Sequence, residues 1–160
     1  MLHTLLHDKF SDKNIILLGF GVSNIPVARE FIRAGMGASV TVRDMKVFND
    51  LGDLAKEFAD EGVKFECGIE PTKDFTCDTS RSVIFRSPGI RPDAGDLTAA
   101  IESGAILTSE VEFFCEHTPA RIIAITGSDG KTTTTTLVAK ILEKAGYTVH
   151  LGGNIGKPLL

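Results

Sequence analysis

The chain is poor in cysteine, and it lacks any long uninterrupted run of positive charge or of apolar side chains. Its three cysteines, Cys67, Cys77 and Cys115, are odd in number and show none of the paired spacings of a metal knuckle. That excludes a disulfide framework as the basis of the fold and reads as free thiols in a reducing cytosol. Basic residues number 17 against 21 acidic ones, for a net charge of −4, and they do not cluster, which argues against a nucleic-acid-binding surface. No apolar run approaches the length of a membrane span, and the opening MLHTLLHDKF lacks the shape of a secretory signal. The expected setting is cytoplasmic, with neither a membrane nor a nucleic acid as partner. Internal repeats and low-complexity linkers are also missing. His3 and His7 stand four apart, the spacing of one helix face, but have no third ligand nearby for a metal.

What is present is a chain of 160 residues, 42% hydrophobic, long enough for one full domain plus part of another. Residues 1–12 form a short amphipathic lead-in. Apolar runs at Asn14–Leu18, Ser39–Arg43, Val63–Glu66, Ser82–Arg86 and Ala105–Thr108 read as strands. Between them, helical patterns start near Pro26, a favoured first-turn residue, and cover Val47–Asp60, Leu97–Ser103 and Glu110–Glu116. Strands alternating with helices predict an α/β fold whose parallel sheet is covered on both faces. The predicted division is a Rossmann-like domain over 1–117 and, over 118–160, the incomplete start of a P-loop ATPase-like α/β domain. Two further strands are expected there, Ile122–Ile125 and Thr148–Leu151. Because two strands and a helix do not bury the faces of a nucleotide-binding sheet, the chain reads as an N-terminal fragment.

Two glycine loops carry the chemistry. In the later one, the run Ile122–Ile125 breaks at Thr126-Gly127 and passes through Ser128-Asp129 to Gly130-Lys131-Thr132-Thr133. A helical pattern follows, with Leu137, Val138, Ile141 and Leu142 on one face. Strand, glycine loop, Gly-Lys-Thr and helix together make a phosphate-binding loop. Its backbone amides and the positive end of the helix favour an anion, Lys131 is placed for the β/γ-phosphates, and the Thr132 hydroxyl for Mg²⁺. The loop is shortened, since the usual eight-residue form needs a glycine where Ile125 stands. The run Thr132–Thr136 is a poor helix former and supports a role for its hydroxyls beside phosphate.

The earlier loop, Gly19-x-Gly21-x-x-Asn24, nearly matches the dinucleotide fingerprint, with Asn24 in place of the third glycine. Asp44 lies about twenty residues on, where an acidic residue would hold a nicotinamide cofactor's ribose, and Arg43 beside it would suit a 2′-phosphate. Alternatively, Gly21, Val22 and Ser23 hold a different diphosphate at the helix N-terminus, flanked by Arg43 and Asp44. A ligand-free strand-to-helix turn is the third reading. One diphosphate pocket with one triphosphate loop fits an ATP-using enzyme of a nucleotide-linked substrate better than a dehydrogenase. A non-catalytic nucleotide-binding module remains the other class.

The run Ile125–Thr133, with Gly152-Gly153-Asn154-Ile155-Gly156 a helix and strand later, resembles the Mur ligases, ATP-dependent amide-bond-forming enzymes of peptidoglycan precursor synthesis. Gly19–Ser23, Ser87-Pro88-Gly89-Ile90 and Ser109-Glu110-Val111-Glu112 are most similar to the family's D-glutamate-adding members. The resemblance covers almost the whole chain but only the first third or so of such an enzyme. It implies a UDP-binding first domain and a central ATPase domain, with ATP and Mg²⁺ as cofactors. The implied reaction adds D-glutamate to UDP-N-acetylmuramoyl-L-alanine through an acyl phosphate, and a sister ligase using another amino acid is the near alternative. By position, Gly21, Val22 and Ser23 would meet the substrate diphosphate, and Arg43, Asp44, Ser87, Pro88 and Gly89 the uridine. Gly127, Ser128, Asp129, Gly130, Lys131, Thr132 and Thr133 would hold ATP, with Lys131, Thr132 and Asn154 catalytic, Thr132 on the metal, and Asn154 near the reacting end of the substrate. The fragment alone is expected to be inactive. The family's loop usually has asparagine where Asp129 stands, and a carboxylate beside phosphates weakens binding unless amides or a metal offset it.

Overall fold

The structure is a computed structural model that describes residues 2–75, 77–153 and 159–160. Its centre is a sheet of five parallel strands, β1 Asn14–Leu18, β2 Val40–Asp44, β3 Lys64–Cys67, β4 Ser82–Arg86 and β5 Ile106–Thr108, in the order β3-β2-β1-β4-β5. The α-helices among the described residues are α1 Leu2–Phe10, α2 Asn24–Arg33, α3 Asp53–Asp60, α4 Leu97–Glu102, α5 Glu110–His117 and α6 Lys131–Lys144. The α/β expectation and the strand positions over residues 14–108 agree with this order to within a residue or two.

Alternation along the strands divides the apolar residues between two faces. On one, Ile15, Leu17, Val42, Val83 and Phe85 pack with Leu6 and Phe10 of α1, Val27 and Phe31 of α2, Phe58 of α3 and Phe113 of α5. On the other, Ile16, Leu18 and Ile84 meet Leu97 and Ala100 of α4, with Ala105. β1 and β4 are buried on both sides, which is why they read as unbroken hydrophobic runs. Phe10, Phe31, Phe85 and Phe113 meet one another at tilted and edge-to-face angles with ring centroids 5.4–6.5 Å apart, filling the larger core.

Several expectations do not hold. The helix read over Val47–Asp60 is broken: Phe48–Leu51 forms a single tight turn, and Gly52, at φ +81°, ends it before α3 begins. α2 starts at Asn24, close to the expected Pro26. Ile122–Ile125 and Thr148–Leu151 are not strands, and Ile122 and Ile123 are exposed. A β-branched run becomes a strand only where a neighbour completes its ladder, and neither run has one among the described residues. For the same reason the apolar face of α6 is uncovered: Leu137 and Ile141 are exposed, and only Ala139 is buried.

Candidate nucleotide-binding sites

From β1 the chain moves outward to β2 and β3, then returns to lay β4 against the other side of β1. The helices after β1 and β4 therefore go to opposite faces, and the loops at the carboxyl ends of these two strands part to leave a crevice. On the β1 side, Gly19 takes φ +89°, and its amide donates to the Arg43 carbonyl at 2.8 Å. A Cβ there would lie 3.1 Å from Ser87 Oγ, so glycine is required both for the turn and for the approach of the β4 loop. The Gly21 carbonyl accepts the amides of Asn24 and Ile25 and so starts α2. No described atom lies within 4 Å of where a side chain on Gly21 would begin, so the backbone there borders open space. Ser23 does not cap α2 with its side chain, and the amides of Gly21, Val22 and Ser23 donate to no described residue. Three such amides beside a helix N-terminus suit an anion.

On the β4 side, Ser87 Oγ donates to the Leu18 carbonyl at 2.7 Å, and the Ile90 amide closes a turn over Pro88-Gly89 onto the Ser87 carbonyl. Ser23, Arg86, Pro88, Ser109, Glu110 and Val111 line a shallow cleft of about 320 Å³ between the two loops and the start of α5. Ser23 of the first loop and Pro88 of the second thus line one cleft.

Arg43 and Asp44 are placed differently from each other. The Arg43 side chain is 2% exposed, with Nε 2.9 Å from Glu66 Oε2 and Nη2 donating to the carbonyls of Lys73 and Asp74 at 2.9 and 3.1 Å. The Nε contact is an ion pair by distance without the alignment of a hydrogen bond. Phe75 covers the guanidinium with its ring centroid 4.5 Å away. Arg43 therefore holds the segment after β3 rather than presenting its charge to the crevice. Asp44 is half-buried at the rim, its Oδ2 accepting the Phe20 amide at 2.7 Å and its Oδ1 the Lys46 amide at 2.8 Å. Beside it on β3, the Cys67 thiol is held above its usual pKa, first by burial and second by the Asp44 charge.

The second loop is built around the start of α6. Gly130, at φ +73°, is the residue before the helix and offers no side-chain cap, and its would-be Cβ has nothing within 4 Å. The loop thus leaves the first-turn amides of α6 without a capping side chain and the space beside Gly130 open, so the residues present fit a bound phosphate. Lys131 is folded back over the loop, with Nζ donating to the carbonyls of Gly127 and Ser128. Thr135 and Thr136 return their hydroxyls to the carbonyls of Lys131 and Thr132, at 2.7 and 2.8 Å. Those of Thr132 and Thr133 make no such bond to a described residue. Such back-bonding does not make the threonine run a better helix former, so these bonds do not explain its place in α6. Asp129 is exposed at the tip. Among the described residues, no hydrogen bond or ion pair joins this loop to the crevice, and Asn154 lies outside the described residues.

Two residues of the crevice carry more than their motifs suggested. Glu110, at the start of α5 and 4% exposed, accepts the amides of Leu159 and Leu160 at 2.6 and 3.1 Å through Oε1. Asn24 is fully buried. Both stand out in the sequence by position, in Ser109-Glu110 and in place of a glycine, but nothing in their local pattern signals these contacts.

A doubly wound parallel sheet with an open crevice at its switch point, followed by a Gly-Lys-Thr loop at the start of a helix, defines the class as a doubly wound α/β protein. Residues 125–159 match the Mur ligase middle domain. Over 155 residues, 95% of the chain, it is 43% identical to the UDP-N-acetylmuramoylalanine–D-glutamate ligase of Clostridium novyi, covering 32% of that protein. It is 45% identical over 150 residues to the ligase of the same name from Clostridium beijerinckii, covering 31% of it. With that from Ruminiclostridium cellulolyticum the identity is 42% over 149 residues. Over nearly its whole length the chain is thus similar to Mur ligases. It spans about a third of the length of the relatives it matches.

Proposed function

We propose that the chain supplies the UDP-substrate crevice and the ATP loop of a MurD-type ligase, which joins D-glutamate to UDP-N-acetylmuramoyl-L-alanine in the cytoplasm. The observation that carries this reading is the pairing, in one chain and in this order, of a switch-point crevice with a Gly-Lys-Thr loop. The relatives that match nearly the whole chain bear the name of that ligase. In this reading residues 1–117 are the substrate domain and 118–160 begin the central one. The D-glutamate site and the remaining metal ligands fall in the part of the relatives' length that the chain does not span.

The amides of Gly21, Val22 and Ser23 bind the substrate's diphosphate, and Ser87, Pro88 and Gly89 close over its nucleoside side. Asp44 acts by fixing the Phe20 amide, and Arg43 by fixing the segment at Lys73–Phe75; both shape the uridine side rather than grip it. At the second loop, Gly127–Thr133 cradle the phosphates of ATP, Lys131 leaves its two carbonyls to meet them, and Thr132 offers its hydroxyl to Mg²⁺. ATP and Mg²⁺ supply the transferable phosphoryl group and its charge neutralisation, which activate the L-alanyl carboxylate as an acyl phosphate. Lys131 and the loop amides contribute electrostatic stabilisation and alignment. Asn154 is assigned to the reacting end of the substrate.

A nicotinamide site is disfavoured, because Asn24 occupies the third glycine position and Arg43, the candidate for a 2′-phosphate, is turned inward to the Lys73 and Asp74 carbonyls. Titration of the chain with UDP-N-acetylmuramoyl-L-alanine, NAD(H) and NADP(H) tests the reading. The muramoyl nucleotide is expected to bind well and the dinucleotides poorly, with no D-glutamate-dependent ADP release from the chain alone. The reverse order of affinity, or such release, overturns it.

A further inference from the structure

The residue that stands where the dinucleotide fingerprint has its third glycine is the most heavily bonded side chain of the crevice. Asn24 is 0% exposed. Its Nδ2 lies 2.9 Å from the Leu18 carbonyl and 3.0 Å from that of Gly19, both on the β1 loop. The same nitrogen lies 3.5 Å from the Phe85 carbonyl and 3.3 Å from Ser87 Oγ, both on the β4 side. Four acceptors around one nitrogen fix the orientation of the amide. Its two hydrogens serve the ends of two strands that diverge immediately afterwards. Ser87 Oγ reinforces the tie by donating to Leu18. Asn24 Oδ1 has no partner among the described residues although it is buried. Such an orphan costs free energy in the folded state, so the packing of this side chain is not explained by stability alone.

We propose that Asn24 is a positioning residue. Its amide locks the diphosphate loop, Gly19–Ser23, to the nucleoside loop, Ser87–Gly89, so that the crevice is set to its working width before substrate arrives. This rests on the reading of the crevice as a UDP-substrate site. Without the lock, the two loops sit on separate strand ends and each must be ordered by the ligand, so ordering cost is subtracted from affinity. A glycine in its place would allow closer helix–strand packing but would leave the β1 and β4 loops tied, among the described side chains, by the Ser87–Leu18 bond alone. The asparagine thus suits a ligand that touches both loops at once, a nucleoside diphosphate with a large pendant group.

The test uses the chain itself with Asn24→Ala, and with Asn24→Ser, which keeps a donor for Leu18 but is too short to reach β4. Three readouts are taken: the melting temperature, hydrogen–deuterium exchange of residues 19–23 and 87–90 without ligand, and UDP affinity well below the melting temperature. The expected result is faster exchange in both loops together and about a tenfold loss of UDP affinity in the folded protein. A residue that only stabilises the fold lowers the melting temperature and leaves the affinity of the folded protein as it was. That outcome, or exchange changing in one loop alone, overturns the proposal. Should Asn24→Ala not fold, Asn24→Ser decides the same question, and Ser87→Ala, which removes the partner at the far end of the lock, is expected to loosen the same two loops. If the unaltered chain fails to bind UDP, the substrate reading falls, while the exchange measurement still decides whether the lock exists.

Discussion

Asp44 Oδ2 accepts the amide of Phe20 at 2.7 Å, a bond that crosses from the end of β2 to the loop leaving β1. The second oxygen of the same carboxylate takes the Lys46 amide. One side chain thus satisfies the donor at the turn into the Gly19–Ser23 loop and the donor that leads the chain away from β2. Asp44→Ala leaves the amide of Phe20, whose ring packs against Phe58 and Phe65, without its acceptor. The expected loss is about 1–3 kcal/mol, read by urea denaturation, with weaker UDP binding in the folded protein. Asp44→Asn, which keeps an acceptor, should recover much of both.

Arg43 tests a different kind of support. Arg43→Met removes a buried cation from beside Glu66, from two carbonyls and from the face of Phe75. The expected cost is roughly 3 kcal/mol. Arg43→Lys retains the charge but cannot reproduce the forked, planar contacts, and is expected to lie between the two. Denaturation midpoints of the three proteins measure this. Equal midpoints would mean that the segment at Lys73–Phe75 is held by something else.

Lys131 Nζ donates to the carbonyls of Gly127 and Ser128 beside the expected phosphate position. Lys131→Met is expected to weaken binding of an ATP analogue by at least about tenfold while leaving UDP affinity unchanged, as titration calorimetry with each ligand would show. A parallel fall in both affinities would indicate a folding defect instead.

Asp129 places a carboxylate at the exposed tip of the phosphate loop. A like charge about 4 Å from a phosphate in water costs on the order of 1 kcal/mol. Asp129→Asn is therefore expected to tighten binding of an ATP analogue by about fivefold at low ionic strength, with the gain shrinking as salt is added.

The Cys67 thiol is raised by burial and by the neighbouring Asp44 charge. A raised pKa means less thiolate at any pH below it, so Cys67 reacts late. With iodoacetamide at about pH 8, close to the usual thiol pKa, the exposed Cys77 and Cys115 should be modified first, and Cys67 only as the pH climbs further. Mass spectrometry of the time course reads the order, and Asp44→Asn should speed Cys67 alone.

The amphipathic and apolar runs disclosed the five strands and most helices because both faces of β1 and β4 are buried, leaving an unmistakable hydrophobic block. Glycine loops announced themselves for a related reason: Gly19 and Gly130 take backbone angles that other residues resist. Arg43 was legible only as a charge near the expected ribose. That its guanidinium turns inward depends on Glu66, the Lys73 and Asp74 carbonyls and Phe75, which are brought to it by the third strand and the loop after it. The runs Ile122–Ile125 and Thr148–Leu151 misled because strand propensity states a readiness to pair, and pairing is settled by a neighbour.

Local periodicity was enough to establish the α/β alternation, and residue types that few other roles require were enough to mark the two glycine loops and the family resemblance. The strand order came only with the folded sheet, and with it the crevice between β1 and β4. So did the inward turn of Arg43 and the meeting of Asn24 with both loops. Each of these depends on groups far apart in the chain, whose proximity is fixed only when the sheet is assembled.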